Sequence, residues 1–167
     1  LLLMISATFT SMIITGFEDA LSVSIILSAS IPMLMDTGGN CGGQASVTII
    51  RALSLDDVHF KDIFRVIWKE FRVGLMCGIS LAIVNFIKML ILNGSDPDVS
   101  VLMIIVISLA LFCSVIIAKF IGCILPMLAQ KIGFDPAVMS SPFITTIVDA
   151  LTLLIYFNLA VLILHIA

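Results

Sequence analysis

Charge is what this sequence has least of. Only 11% of its 167 residues are Asp, Glu, Lys or Arg, while 61% are hydrophobic. A soluble domain carries about 25% charged and about 45–50% apolar residues. That balance, with a mean hydropathy of +1.28, excludes an ordinary soluble domain and points to an integral membrane protein. There is no basic tract to bind nucleic acid, and the net charge of −3 adds no pull toward it. The opening "LLLMISATFT" has neither an initiator Met nor a basic n-region, so it does not read as a signal peptide. The expectation is an excised piece of a longer chain, with regulatory domains absent from its N-terminal side.

Metal-binding and redox chemistry are equally thin. The four cysteines, Cys41, Cys77, Cys113 and Cys123, lie in or beside apolar stretches and form no CxxC pair. This argues for small buried thiols over a zinc site or a disulfide framework. His59 falls in a charged loop and His165 near the end, each without a ligand-type neighbour at useful spacing. With no nucleophile–base pair, phosphate loop or closed metal site, no enzyme is expected.

What the chain does have is long apolar runs. A spanning helix needs about 20 apolar residues. Five segments approach that length, at about 1–15, 21–53, 61–92, 99–130 and 142–166. The expectation is an all-α integral membrane protein forming one transmembrane domain over residues 1–167. "NGSDPD" (Asn93–Asp98) is a turn, and Pro126 should bend the last turns of the fourth helix. Arg51, Lys61, Arg65, Lys69 and Arg72 flank the second connection and Lys131 lies in the fourth, whereas the other two turns have no Lys or Arg. The positive-inside rule then makes the N-terminal side cytoplasmic and the C-terminus external in a multi-pass protein. Lys88 and Lys119 lie near helix ends and are expected to snorkel toward the membrane surfaces. Phe60, Ile63, Phe64, Ile67, Trp68 and Phe71 recur at helical spacing among Lys61, Arg65, Lys69 and Arg72. That stretch reads as an amphipathic helix at the membrane surface, or as a docking face for a cytoplasmic regulatory domain.

One stretch breaks the pattern. "PMLMDTGGNCGGQ", Pro32 to Gln44, sets a proline, four glycines, Asp36, Asn40 and Gln44 within thirteen positions of an apolar run. It predicts a second helix broken at Gly38–Gly39, with freed carbonyls facing a cavity or ligand and glycines that allow close approach or positive φ. The other conspicuous polar residue is Asp149, a carboxylate flanked by apolar residues for about two turns on either side. Ionisable groups at such depth are functional candidates by default. At 1.5 Å per residue, Asp149 lies about 10 Å from Pro142, and Asn40 about 16 Å from Arg51. Both are therefore expected in one layer of the membrane. Asp149, Asp36, Asn40, Ser141 and Thr145 supply hard oxygen donors, which suit Mg²⁺, Ca²⁺, Mn²⁺ or alkali ions. Few carboxylates among neutral oxygens favour an ion that keeps some water, as Mg²⁺ does. The alternatives are an interhelical hydrogen bond for Asp149 and a bend near the outer mouth for Asp36.

"PMLMDTGGNCGGQASVTIIRAL" resembles the Pro-x5-Gly-Gly-Asn-x-Gly-x-Gln signature of the MgtE magnesium channel family, and "GFDPAVMSSPFITTIVDALTLLIYF" resembles its connection and fifth helix. The resemblance implies a twofold homodimer of five-helix protomers in the cell's inner (cytoplasmic) membrane, with a pore lined by the second and fifth helices. It implies that Asp149, Asn40 and Thr145 meet a largely hydrated Mg²⁺, with Co²⁺, Mn²⁺ and Ca²⁺ as further cations. Gly38, Gly39 and Gln44 belong to the same motif. Ser141 and Thr152 stand where some members carry Asn and Gly, and Asp36 adds a carboxylate not general in the family. The function expected is a divalent-cation channel. Its competitors are a Na⁺- or H⁺-coupled carrier or exporter of the same fold, with the broken helix as a moving gate, and an intramembrane enzyme or scaffold using Asp36 and Asp149 as a dyad.

Overall fold

The computed structural model describes residues 2–18, 21, 24–138 and 141–165. Five α-helices make up most of them: α1 (Leu2–Gly16), α2 (Ile25–Ser54), α3 (Ile63–Asn93), α4 (Val101–Lys131) and α5 (Ser141–Leu164). Short 3₁₀ turns, Phe60–Asp62 and Pro136–Val138, precede α3 and α5. No strand occurs among the described residues.

Local chemistry sets the helix ends. Ser24 and Ser100 cap α2 and α4, their hydroxyl oxygens accepting from the amides of Ile26 at 3.4 Å and Met103 at 3.2 Å. Ahead of α3, the Asp62 carboxylate accepts the His59 amide at 3.0 Å. The end of α4 is a Schellman turn: Gly133 takes a φ of 82°, open to a residue without Cβ. Its amide donates to Gln130 and that of Phe134 to the Ala129 carbonyl at 2.9 Å, using carbonyls the helix leaves unpaired. The helix passes through Pro126 on its way to this stop.

The expected break in the second helix is absent. α2 is one continuous α-helix of 30 residues from Ile25 to Ser54 that includes Pro32 and all four glycines. Neither Gly38 nor Gly39 takes a positive φ. The carbonyls foreseen as freed therefore stay in the helical ladder. Glycine's intrinsic cost in a helix, about 1 kcal/mol per residue, is offset by close packing on the glycine face. By length and apolarity three helices among the described residues qualify to cross a membrane: Phe60–Asn93, Val101–Lys131 and Pro142–Leu164. The apolar part of α1, Ala7–Gly16, is shorter, and α2 carries the polar stretch.

α4 is the hub, packing against α2, α3 and α5. Half of its most apolar window is buried, against 17% of that in α3, which makes α3 the most exposed of the three apolar spans. Leu27, Leu34, Ile107, Leu111, Leu153 and Phe157 fill the core at one end, and Ile49, Leu53, Val66 and Met127 at the other. The polar atoms buried between helices are mostly paired. Tyr156 donates its hydroxyl to the Leu27 carbonyl at 2.9 Å, tying α5 to α2, and Asn85 donates to Ser108 Oγ at 3.2 Å, tying α3 to α4. Lys119 does not snorkel. Its Nζ lies 3.5 Å from Glu70 Oε2, with both side chains largely buried. Once an ammonium is buried, a carboxylate partner is the arrangement that limits its desolvation cost. Lys88 remains exposed.

α2 meets α4 at Gly122, where an added Cβ would strike the Gly42 carbonyl and come within 2.9 Å of Ala45 Cβ. Both obstacles are fixed to backbone, so neither can swing aside. Gly122→Val should destabilise the protein by about 1–3 kcal/mol, the usual cost of overpacking. Gly16→Ala, at a position with nothing within 4 Å of an added Cβ, should be near neutral. Thermal unfolding of the two variants in detergent checks the contrast.

Candidate functional site

The polar residues of α2 are sorted by face. Asp36, Asn40, Gln44 and Thr48 are exposed and recur every four residues, so they form one stripe along the helix. Gly38, Gly39, Gly42 and Gly43 lie on the buried side. Within the stripe, Asn40 Nδ2 donates to Asp36 Oδ1 at 3.0 Å, one turn away. This contact fixes the amide and leaves its carbonyl oxygen as the atom with acceptor capacity.

Glycine is what lets α5 reach this stripe. An added Cβ at Gly39 would lie 3.2 Å from Thr145 Cγ2 and 3.3 Å from Asp149 Oδ1. At Gly38 it would meet Thr152 Oγ1 at 2.9 Å, and at Gly42 Val148 Cγ2 at 3.0 Å. The result is a recess of about 140 Å³ walled by Met35, Asp36, Gly39, Asn40, Thr145 and Asp149. Two carboxylates, an amide and a hydroxyl thus come together from helices far apart in sequence. The Thr145 hydroxyl also donates to the Pro142 carbonyl at 3.1 Å, which leaves its lone pairs as acceptors.

Not every residue singled out in the sequence sits on this wall. Thr152 is 1% exposed and Gly38 is buried, so both belong to the helix seam behind the recess. Gln44 is exposed one turn along the stripe from Asn40, beyond the residues that wall the recess. The side chain of Ser141 lies outside the described residues.

Two features were not foreseen. Asp149 also borders a second cavity of about 440 Å³, whose far wall is Thr10, Ser11 and Thr15 of α1. The hydroxyl-bearing positions in "ATFTSMIIT" were the available signal. The second feature is the buried Glu70, hidden in sequence among surface charges. Its register was legible only in the four-residue spacing Val66, Glu70, Gly74, Gly78, all of them buried.

The donors in the recess are hard oxygens, and two like charges share a small space, a cost that a cation would relieve. No group of three or more His, Cys, Asp or Glu side chains close enough to hold a metal exists among the described residues. The recess is accordingly an open-sided, partly charged surface and not a closed metal cage.

An all-helical bundle with three apolar spans, whose recess sits on a helix seam, defines a polytopic helical membrane protein. Residues 31–159 match the family model of MgtE, described as a divalent cation transporter, and the chain belongs to that family. It is 36% identical over 164 residues to the magnesium transporter MgtE of Thermus thermophilus, covering 98% of this chain and 35% of that protein. It is also 36% identical over 169 residues to the magnesium transporter MgtE of Bacillus subtilis, covering 99% of this chain and 36% of that protein. The Enterococcus faecalis magnesium transporter MgtE is 34% identical over 151 residues, covering 90% of this chain and 32% of that protein. The chain spans about a third of the length of these relatives.

Proposed function

We propose that this chain forms a pore domain that conducts partly hydrated Mg²⁺ across the cytoplasmic membrane along the seam of α2 and α5, completed by a second copy. The observation that carries the reading is the meeting of the Asp36–Asn40 stripe with Asp149 and Thr145 across Gly39. It is supported by similarity to proteins named magnesium transporters. Mg²⁺ sheds its water reluctantly, so an open recess with few carboxylates suits it through retained water. Mn²⁺, Ca²⁺ and Co²⁺ are the competing cations.

The exposed polar stripe is the argument for a homodimer. In lipid, Asp36, Asn40 and Gln44 would keep unpaired polar atoms beyond the one Asn40–Asp36 hydrogen bond, and a carboxylate there is costly. A twofold copy facing the stripe would enclose an aqueous path and double its carboxylates, in the commonest oligomer symmetry. Lys and Arg placement supports a cytoplasmic side at residues 55–62 and 132–140. α2 is continuous, so the broken helix that would have served a coupled carrier as its moving gate is absent.

Mg²⁺ current that persists under voltage clamp, with no Na⁺ or H⁺ gradient, is the expected behaviour. Strict dependence on such a gradient would replace the channel by a coupled carrier. In proteoliposomes, Asp149→Asn keeps the side chain's shape but removes its charge. It should lower Mg²⁺ flux roughly tenfold or more, equivalent to about 1.4 kcal/mol or more. Asp36→Asn should cost less, because that carboxylate is exposed and already holds the Asn40 amide. Normal transport by Asp149→Asn with loss in Asp36→Asn would put the wrong carboxylate at the centre. Gly39→Val should also lower flux while leaving membrane insertion intact, since its branches would occupy the space beside Thr145 and Asp149. Wild-type flux in that variant would reduce the glycine to a packing role.

A further inference from the structure

The start of α3 carries charge and aromatic surface for which ion conduction has no use. From Phe60 to Asn93 the chain is helical over 34 residues, about 51 Å at 1.5 Å per residue, whereas the hydrocarbon of a bilayer is about 30 Å thick. With Asn93 at one boundary, the other falls next to Arg72. The headgroup layer, about 5–7 Å deep on each side, then covers the turn from Arg72 back to Lys69.

The segment's carboxylates are already engaged. Asp62 accepts the His59 amide, and Glu70 turns inward to Lys119. Lys61, Arg65, Lys69 and Arg72 are all exposed. None of the four lies within 4.0 Å of a carboxylate oxygen among the described residues. Arg65 and Lys69 border a groove with Asp57 and Asp62 without closing an ion pair in it. Arg65 also stands in the first turn of α3, where the helix dipole adds further positive potential. Phe64 and Trp68 are 83% and 58% exposed, and they stand in line with Met76, Ile79 and Ile83, the outward apolar face of the same helix.

We propose that this end of α3 binds the headgroup of an anionic phospholipid, with Lys69 and Arg72 on its phosphate and Phe64 and Trp68 at the interface. The stripe decides between a lipid and the acidic surface of a protein domain. A phosphate held at Lys69 and Arg72 leaves its acyl chains free to lie along Met76, Ile79 and Ile83, a continuity that a soluble domain would not use. Basic residues beside interfacial aromatics are the arrangement that attracts anionic lipid.

The proposal rests on membrane insertion and not on ion conduction, so it is tested apart from transport. Protein purified in mixed phosphatidylglycerol and phosphatidylcholine is examined by native mass spectrometry, with thermal unfolding measured as phosphatidylglycerol is added. The wild type should retain phosphatidylglycerol preferentially and be stabilised by it. Lys69→Gln with Arg72→Gln should lower that preference roughly tenfold or more. The charge-conserving pair Lys69→Arg with Arg72→Lys should keep it, which separates lost charge from lost fold. Inorganic phosphate should not displace the bound lipid. An unchanged preference in the double Gln variant would overturn the proposal and leave this face to a protein domain. Displacement by phosphate alone would overturn it in favour of a soluble-anion site.

Discussion

Close approach of helix backbones at glycine is the constraint on which the rest of this structure depends. Lipid is as apolar as a leucine side chain, so helices gain little from burying apolar area against one another. They associate instead through van der Waals packing, hydrogen bonds and small residues. Gly38, Gly39 and Gly42 open one side of α2 to Thr152, Thr145, Asp149 and Val148 of α5, and Gly122 opens α4 to α2. Gly78 does the same for α3, receiving the ring of Phe112. Larger residues on the α2 seam would push α5 away and part Asp149 from the Asp36–Asn40 pair. The recess is thus a by-product of packing geometry, set by what α2 lacks on one face and carries on the other.

The same low-dielectric setting sorts the polar groups. Most of those buried between helices find partners: Glu70 with Lys119, the Asn85 amide nitrogen with Ser108, Tyr156 with the Leu27 carbonyl, while Asn85 Oδ1 has none among the described residues. Among the described residues, two places beside the apolar spans keep an excess of one sign. Asp36 and Asp149 leave negative charge at the recess, and the first turns of α3 leave positive charge facing outward. Unbalanced charge is costly beside lipid, and these two places are where a cation and an anionic headgroup would each relieve it.

Much of this was readable in the chain. Hydropathy marks the helices because each must satisfy its own backbone when no water is available, and five α-helices are present. The polar run from Asp36 to Gln44 and the isolated Asp149 stand out against apolar neighbours. The continuity of α2 was misread. Glycine content signals weak helix propensity, but propensity is a small term that packing overrides. Glu70 was missed for a related reason. Composition placed it in a charged surface segment, and only its register on α3, opposite Lys119, turns it inward.

The sequence by itself determined the class of protein, the number of helices and the residues with the chemistry to meet a cation, because apolar length and isolated polar groups are local properties. Tertiary structure alone decided which of those residues share a surface. Thr152 went to the buried seam and Thr145 to the recess wall, although they lie only two turns apart on α5. Seven residues apart, they share a face of α5 to within about 20°. That division therefore depends on how α5 is rotated toward α2 and on how it is aligned along it, Thr152 against Gly38 and Thr145 against Gly39. The rotation is set by steric fit between glycines on one helix and Val148, Ile144 and Thr145 on the other, a relation between distant segments that no local pattern encodes.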